Sequence, residues 1–234
     1  MPSPEPSRPH QAAEGLDDLR ERFLAALLEP DARLARGLVL EAADGGASVG
    51  RLYLDVLRPA LHEVGRLWEQ ARIGVAQEHL ATQISQSVLA QLSVRLGGDP
   101  QAGAGRRAIV SCSPGELHAI GGQMVADFLE ADGWAVQTLG ADVPPEALAS
   151  LADSGGTDVV ALSTALPAHL LAAGKACTLL RRLPSTPYIV VGGQAYAGDA
   201  QRARAVGADD LADDPEALVA LLRTRFAADG RATC

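Results

Sequence analysis

Between residues 97 and 105 the chain changes its hydrophobic period, and that change constrains the fold more than any other feature. The stretch Gly97-Gly98-Asp99-Pro100-Gln101-Ala102-Gly103-Ala104-Gly105 fits no helix or strand repeat and reads as an interdomain linker, residues 98–106. Ahead of it, apolar residues recur at helical spacing. Leu16, Leu19, Phe23 and Leu27 form a first stripe that Pro30 stops. Asp31 is placed to N-cap a second helix carrying Leu34 and Leu38. A third segment spans 49–69, with a kink or restart expected at Pro59, and a fourth spans 75–96 with Ile84, Val88, Leu92 and Leu96 on one side. Short connections between four such helices predict an antiparallel four-helix bundle over residues 15–97.

Beyond the linker, short apolar runs alternate with helical ones. Strands are expected at 108–111, 135–139, 158–162 and 188–191, with a weak fifth at 209–211. Helices are expected at 121–132, 145–152, 168–183, 199–206 and 215–226. This alternation predicts an α/β unit over 107–228, a doubly wound, parallel, five-stranded Rossmann-like (flavodoxin-like) sheet. Residues 1–14, with four prolines and two serines, read as a disordered leader, and 229–234 as a tail.

Composition excludes several classes. The formal net charge of -9 argues against direct nucleic-acid binding, which needs a basic patch. No run of 18 apolar residues and no secretory signal is present, so a cytoplasmic protein without a membrane span is expected. Cys112, Cys177 and Cys234 have no metal-site spacing and suit a reducing compartment. No Gly-x-Gly-x-x-Gly follows the first strand, and no Gly-Lys-Ser/Thr phosphate loop occurs.

Candidate chemistry sits after the first strand of the α/β unit, where such folds bind ligands. Glu116-Leu117-His118-Ala119-Ile120-Gly121 is followed by 41 residues and then Ser163, and 28 more residues precede Gly192-Gly193. This acid-x-His-x-x-Gly pattern, with Ser and Gly-Gly at those spacings, resembles the cobalamin-binding domain family over residues 107 to about 226. The resemblance implies that His118 ligates cobalt from below, as the lower axial ligand. It also implies that Glu116 bonds the second ring nitrogen, that Ser163 extends this relay, and that Leu117 lies in the cofactor-binding loop. Gly121 would admit the corrin edge, and Gly192-Gly193 the nucleotide tail. Two positions depart from the family pattern: Glu116 stands where most members have Asp, and Ala165 where many have Leu, with Leu166 next.

In the bundle, Trp68 is followed by nine residues and then Glu78-His79. On one continuous helix ten residues turn about 1000°, so Trp68 and Glu78 would not share a face. A turn at Ile73-Gly74 would let two antiparallel helices bring them to one cavity. Read alone, Trp68 is bundle core and Glu78 a favourable acid in a first helical turn. Beside the cobalamin motif, Trp-x9-Glu-His resembles adenosylcobalamin-dependent photoreceptors of the light-responsive repressor group. There the Trp packs over the adenosyl group, and the acid and His flank it. The resemblance implies a bundle capping the upper face of adenosylcobalamin, and a light sensor rather than an enzyme.

With no DNA-binding domain ahead of the bundle, the expected reading is a stand-alone sensor. Its output would pass through a regulatory protein partner or a homo-oligomer, regulating transcription without membrane or nucleic-acid contact. Glu69 follows Trp68 where some relatives carry a second cobalt-ligating His. The alternative is a corrinoid methyl-carrier protein of a methyltransferase system, which needs an open upper face. An accessory subunit of a radical mutase would need a separate catalytic chain.

Overall fold

The computed structural model of the chain describes residues 9–103 and 105–227, and the chain divides into two compact units between Gly97 and Gly98. Residues 1–8 of the expected leader and the tail from 228 lie outside the described residues.

The first unit is helical. Helix α1 (Pro9–Leu28) begins earlier than the expected residue 15. A proline is tolerated at a first helical position because the N–H there has no intrahelical partner anyway. Leu19, Phe23, Ala26 and Leu27 form its buried stripe. Helix α2 (Ala32–Asp44) starts at Asp31, whose side chain accepts the Leu34 N–H at 2.9 Å, as the sequence predicts. Helices α3 (Val49–Arg51) and α4 (Arg58–Glu69) are joined by a π-helical stretch, Leu52–Leu57.

The expected kink or restart at Pro59 is therefore replaced by a wider helical turn just before it. Pro59 has no N–H, and its ring crowds the carbonyl four residues back. The π stretch, in which the Arg58 N–H bonds the Tyr53 carbonyl, opens the ladder at that point. Its side chains Leu52, Tyr53, Val56 and Leu57 are fully buried, and the Tyr53 hydroxyl donates to the Leu89 carbonyl at 3.2 Å. Helix α5 (Val75–Leu92) buries Ile84, Val88 and Leu92, then tightens into a 3-10 turn, Ser93–Arg95. Leu96 consequently falls beyond the helix it was expected to extend.

The second unit is a five-stranded parallel sheet in the order β2-β1-β3-β4-β5. Its strands are β1 (Arg107–Cys112), β2 (Ala135–Gly140), β3 (Val159–Ser163), β4 (Tyr188–Gly192) and β5 (Asp210–Ala212). The helices are α6 (Ile120–Ala131), α7 (Pro145–Gly155), α8 (Leu170–Leu180), α9 (Ala200–Ala205) and α10 (Pro215–Ala227). Strand side chains alternate between two cores, as a period of two requires. Ile109, Val160, Leu162, Ile189 and Val191 pack with Leu148 of α7 and Ala176 and Leu180 of α8. Ala108, Val110, Val159, Ala161 and Val190 pack with Leu129 of α6 and Leu218 and Leu222 of α10. Both faces of the central strands are thus covered, which is why they read as nearly unbroken apolar runs.

The segment expected to be a linker is a strap fixed to this second unit. The Gly103 N–H donates to the Asp132 carbonyl at 2.7 Å, and a Cβ at Gly103 would stand 2.3 Å from Cδ1 of Trp134. Arg106, just before β1, stacks 4.5 Å above the Phe226 ring and donates from Nη2 to the Phe226 carbonyl at 2.8 Å. Glycine here serves close packing, and its lack of a period hid that from the sequence.

Candidate functional site

Strands β1 and β3 are neighbours, but their following helices leave to opposite faces of the sheet: α6 packs with α10, and α8 packs with α7. The carboxyl edge between β1 and β3 is thus the topological switch point, the position where open α/β sheets take ligands. Glu116 and His118 stand in the loop after β1.

Glu116 is wholly buried, with no solvent-exposed area. Its Oε1 accepts the backbone N–H of His118 at 3.0 Å and lies 2.5 Å from Nδ1 of the His118 ring. Its Oε2 accepts the backbone N–H groups of Ala165 and Leu166 at 2.9 and 3.0 Å. Burial alone would raise this carboxyl's pKa, yet the bonds from His118, Leu166 and Ala165 outweigh it and lower the pKa. The lowered pKa leaves Glu116 the acceptor in this contact and Nδ1 of His118 the donor. The His118 side chain is 55% exposed, and Nε2 is the nitrogen left to ligate.

Neighbouring loops hold this arrangement in place. The Asp142 N–H, from the loop after β2, donates to the Glu116 carbonyl at 3.1 Å, while Asp142 Oδ1 accepts the Gly115 N–H at 2.8 Å. Asp142 does this at φ +50°, a left-handed conformation that Asp adopts more readily than most residues. A second polar set, absent from the sequence expectation, lies beneath. Ser113 Oγ and Thr164 Oγ1 are 2.7 Å apart, and Tyr196 stands 3.4 Å from Thr164, all three buried. Burial, above all, pushes the Tyr196 pKa up to about 12. Thr164 beside Ser163 was the only sequence signal for this set.

The other predicted residues divide. Leu117 is 72% exposed, and Leu166 and Leu171, on the segment after β3, are also exposed, leaving apolar side chains uncovered on both segments. Gly121 opens α6 beside Ser163; a Cβ there would lie 3.6 Å from Ser163 Oγ, an ordinary contact. Ser163 ends β3 but does not bond Glu116, whose two oxygens are taken by His118 and the 165–166 amides. The relay expected through its hydroxyl is thus replaced by backbone. Gly192 and Gly193 are demanded by the fold itself: a Cβ at Gly192 would meet the Ala212 carbonyl at 2.6 Å, and one at Gly193 the Thr164 carbonyl at 2.4 Å. Gly193 also has φ +104°.

In the helical unit, α4 and α5 form the expected hairpin, with Ala71 at φ +54° in the turn. Trp68, in the last turn of α4, is 45% exposed, whereas Val64 and Leu67 on the same helix are buried. It is therefore not a core residue of the bundle. Glu78, in the first turn of α5, places Oε2 2.6 Å from His79 Nδ1 and accepts the Thr82 hydroxyl on Oε1 at 2.9 Å. Among the described residues no hydrogen bond or ring contact joins Trp68 to this pair. Nor is any described helix long and apolar enough to cross a membrane.

Comparison with known proteins accords with this geometry. Residues 106–222 match the B12 binding domain model, and residues 19–93 match a second B12 binding domain model. The chain is 37% identical over 161 residues to the HTH-type transcriptional repressor CarA of Myxococcus xanthus, covering 68% of this chain and 51% of CarA. It is 39% identical over 110 residues to CarH of the same organism, covering 47% of this chain and 36% of CarH. The chain thus spans about half the length, or less, of these two relatives. The Methanosarcina barkeri monomethylamine corrinoid protein shares the fold with a TM-score of 0.78 at 20% identity, over 89% of this chain and 99% of that one. The chain belongs to the B12-binding domain family and is a cobalamin-binding protein.

Proposed function

From that membership we propose that the chain is an adenosylcobalamin-binding light sensor and not an enzyme. The donor set fits the cofactor: one half-exposed imidazole beside exposed apolar side chains, its Nδ1 held by a buried carboxylate and its Nε2 turned to no other partner among the described residues. When bound, adenosylcobalamin supplies a photolabile cobalt–carbon bond. His118 would hold the cobalt from below, with Glu116 fixing the tautomer and raising the basicity of the ligand. Trp68 would stack on the adenosyl group, with Glu78 and His79 flanking it. Gly121, Leu117 and Ser163 would border the corrinoid, and Gly192-Gly193 the path of its nucleotide tail.

The observation that carries the reading is the indole left outside its bundle. A Trp that is 45% exposed forgoes burial worth a few kcal/mol, about 25 cal/mol per Å² of apolar surface, and a nucleoside would cover it. The carboxylate of Glu78, held by Thr82 and His79, has the fixed geometry that recognising a sugar hydroxyl requires. The similarity to two transcriptional repressors supports a regulatory role. The net charge of -9 favours output through a protein partner or self-association over direct DNA contact.

The second reading, a methyl-carrier corrinoid protein, is favoured by the fold shared with the monomethylamine corrinoid protein, a likeness of fold alone. Trp68 discriminates between the two, because a methyl carrier needs an uncovered upper face. Absorption spectra and light scattering of the purified protein with adenosylcobalamin, in darkness and after green light, test the proposal. A light-dependent spectral change with altered mass or elution volume is expected. Identical mass, elution and small-angle scattering in both states would leave a cobalamin carrier only.

A further inference from the structure

The acid before His118 is a glutamate, and its extra length has a visible use. All four hydrogen bonds to its carboxylate lie between 2.5 and 3.0 Å, two from His118 and two from the Ala165 and Leu166 amides. Consecutive N–H groups aimed at one oxygen form an anion-holding nest. An aspartate would withdraw the carboxylate by one bond, about 1.5 Å. From there it could not bond His118 and both amides at once, since hydrogen bonds fade beyond about 3.2 Å. The Ser163 hydroxyl, meanwhile, makes no hydrogen bond among the described residues, although it ends the very strand that leads to these amides.

We propose that the backbone amides of Ala165 and Leu166, not the Ser163 hydroxyl, are the positioning groups that orient His118 for ligation, acting through Glu116. This rests on the reading of His118 as the cobalt ligand. In mechanical terms the carboxylate is a clamp between two loops. Oε1 sets the ring plane and tautomer of His118, while Oε2 ties that setting to the segment after β3. The loop carrying Leu166 and the loop carrying His118 consequently move as one piece. Ser163 is left outside the relay.

Three variants of the full chain separate these roles: Glu116→Gln, Ser163→Ala and Leu166→Pro. The last deletes one amide donor at a position with φ -103°, ψ 132°, extended backbone that a proline tolerates with a modest φ change. Without cofactor, amide proton–nitrogen NMR spectra report the clamp directly. The Ala165 and Leu166 resonances should shift in Glu116→Gln and stay in place in Ser163→Ala.

With cobalamin, Glu116→Gln should weaken affinity roughly 10–100-fold, the usual effect of removing the partner of a ligating histidine. Leu166→Pro should weaken it by a smaller factor, and Ser163→Ala should keep the imidazole nitrogen coupling of the cob(II) spin-resonance spectrum. A loss of coupling in Ser163→Ala equal to that in Glu116→Gln overturns the proposal, as do unmoved amide resonances in Glu116→Gln. If the wild type shows no imidazole coupling, the ligand role of His118 fails and the proposal with it, while the cofactor-free amide shifts still report whether the clamp exists.

Discussion

Replacing Gly193 with Ala tests whether the Gly-Gly pair serves the fold before it serves a ligand. Gly193 has φ +104°, a conformation that costs a non-glycine residue about 1–3 kcal/mol. The new Cβ would also meet the Thr164 carbonyl oxygen at 2.4 Å, its carbon at 2.9 Å and the Thr164 nitrogen at 3.1 Å. Thr164 cannot easily yield: its N–H donates to the Gly192 carbonyl at 2.9 Å, its carbonyl accepts the Ala195 N–H at 3.1 Å, and its hydroxyl is bonded to Ser113. Forcing such a contact costs about 1–3 kcal/mol more. The sum, about 2–6 kcal/mol, is a large share of the 5–15 kcal/mol typical of a domain. With a urea slope of about 2 kcal/mol per molar, a loss of about 4 kcal/mol lowers the midpoint by about 2 M. Trp134 is buried in the second unit, so its fluorescence in a Trp68→Phe background reports that unit alone. Gly121→Ala is the control, since its Cβ has room and alanine favours a helical turn by about 0.5–1 kcal/mol. Gly193→Ala unfolding at the wild-type midpoint without cofactor would refute the reasoning.

Gly103→Ala should drive the Trp134 ring from its edge-on contact with Phe226, 5.5 Å between centroids; a loss of about 1–3 kcal/mol by denaturation and a shifted Trp134 emission are expected. Burial raises the Tyr188 pKa to about 12, helped by its hydrogen bond to Asp210, and burial raises that of Tyr196 to about 12 as well. Unfolded phenols titrate near 10, so between these values the folded chain binds more protons, and stability should fall as pH rises from about 10 to 12. Phenolate absorbance that appears at the unfolded pKa in the native protein would contradict this. Trp68→Ala should leave cofactor-free stability within about 1 kcal/mol, because the indole is already half outside, while lowering adenosylcobalamin affinity more than methylcobalamin affinity. Equal losses for the two forms would favour the methyl-carrier reading.

The architecture was legible because the chain carries two clean periods. Helical stripes such as Phe23–Leu27 and Val88–Leu92 become buried helix faces, and apolar runs such as 159–162 become strands covered on both sides. The exceptions have local causes. Pro59 produced a π stretch instead of a break, because the ladder could widen ahead of it. The glycine-rich strap is aperiodic yet packed, because its contacts go to residues 131–134, far from any repeat of its own.

At the site, spacing singled out Glu116, His118 and Ser163, but it could not say what each bonds. Three of the four partners of the Glu116 carboxylate are backbone amides, and an amide leaves no trace in residue identity. Gly192 and Gly193 were legible as special positions, whereas the backbone atoms that require them, at Ala212 and Thr164, are distant in sequence. The Ser113–Thr164–Tyr196 set was missed because each hydroxyl is ordinary by itself, and only the β1–β3–β4 order brings them together.

Spin resonance of the cob(II) form reads the ligation of cobalt by His118 directly. Protein carrying nitrogen-15 in its histidines alone, bound to cobalamin of natural isotopic composition, separates the two possible axial nitrogens. A protein imidazole then splits each cobalt line into a doublet, whereas the cofactor's own base gives a triplet. Ligation by His118 gives the doublet, and its loss in His118→Ala. A triplet in the labelled wild type, or a doublet that survives His118→Ala, would contradict it.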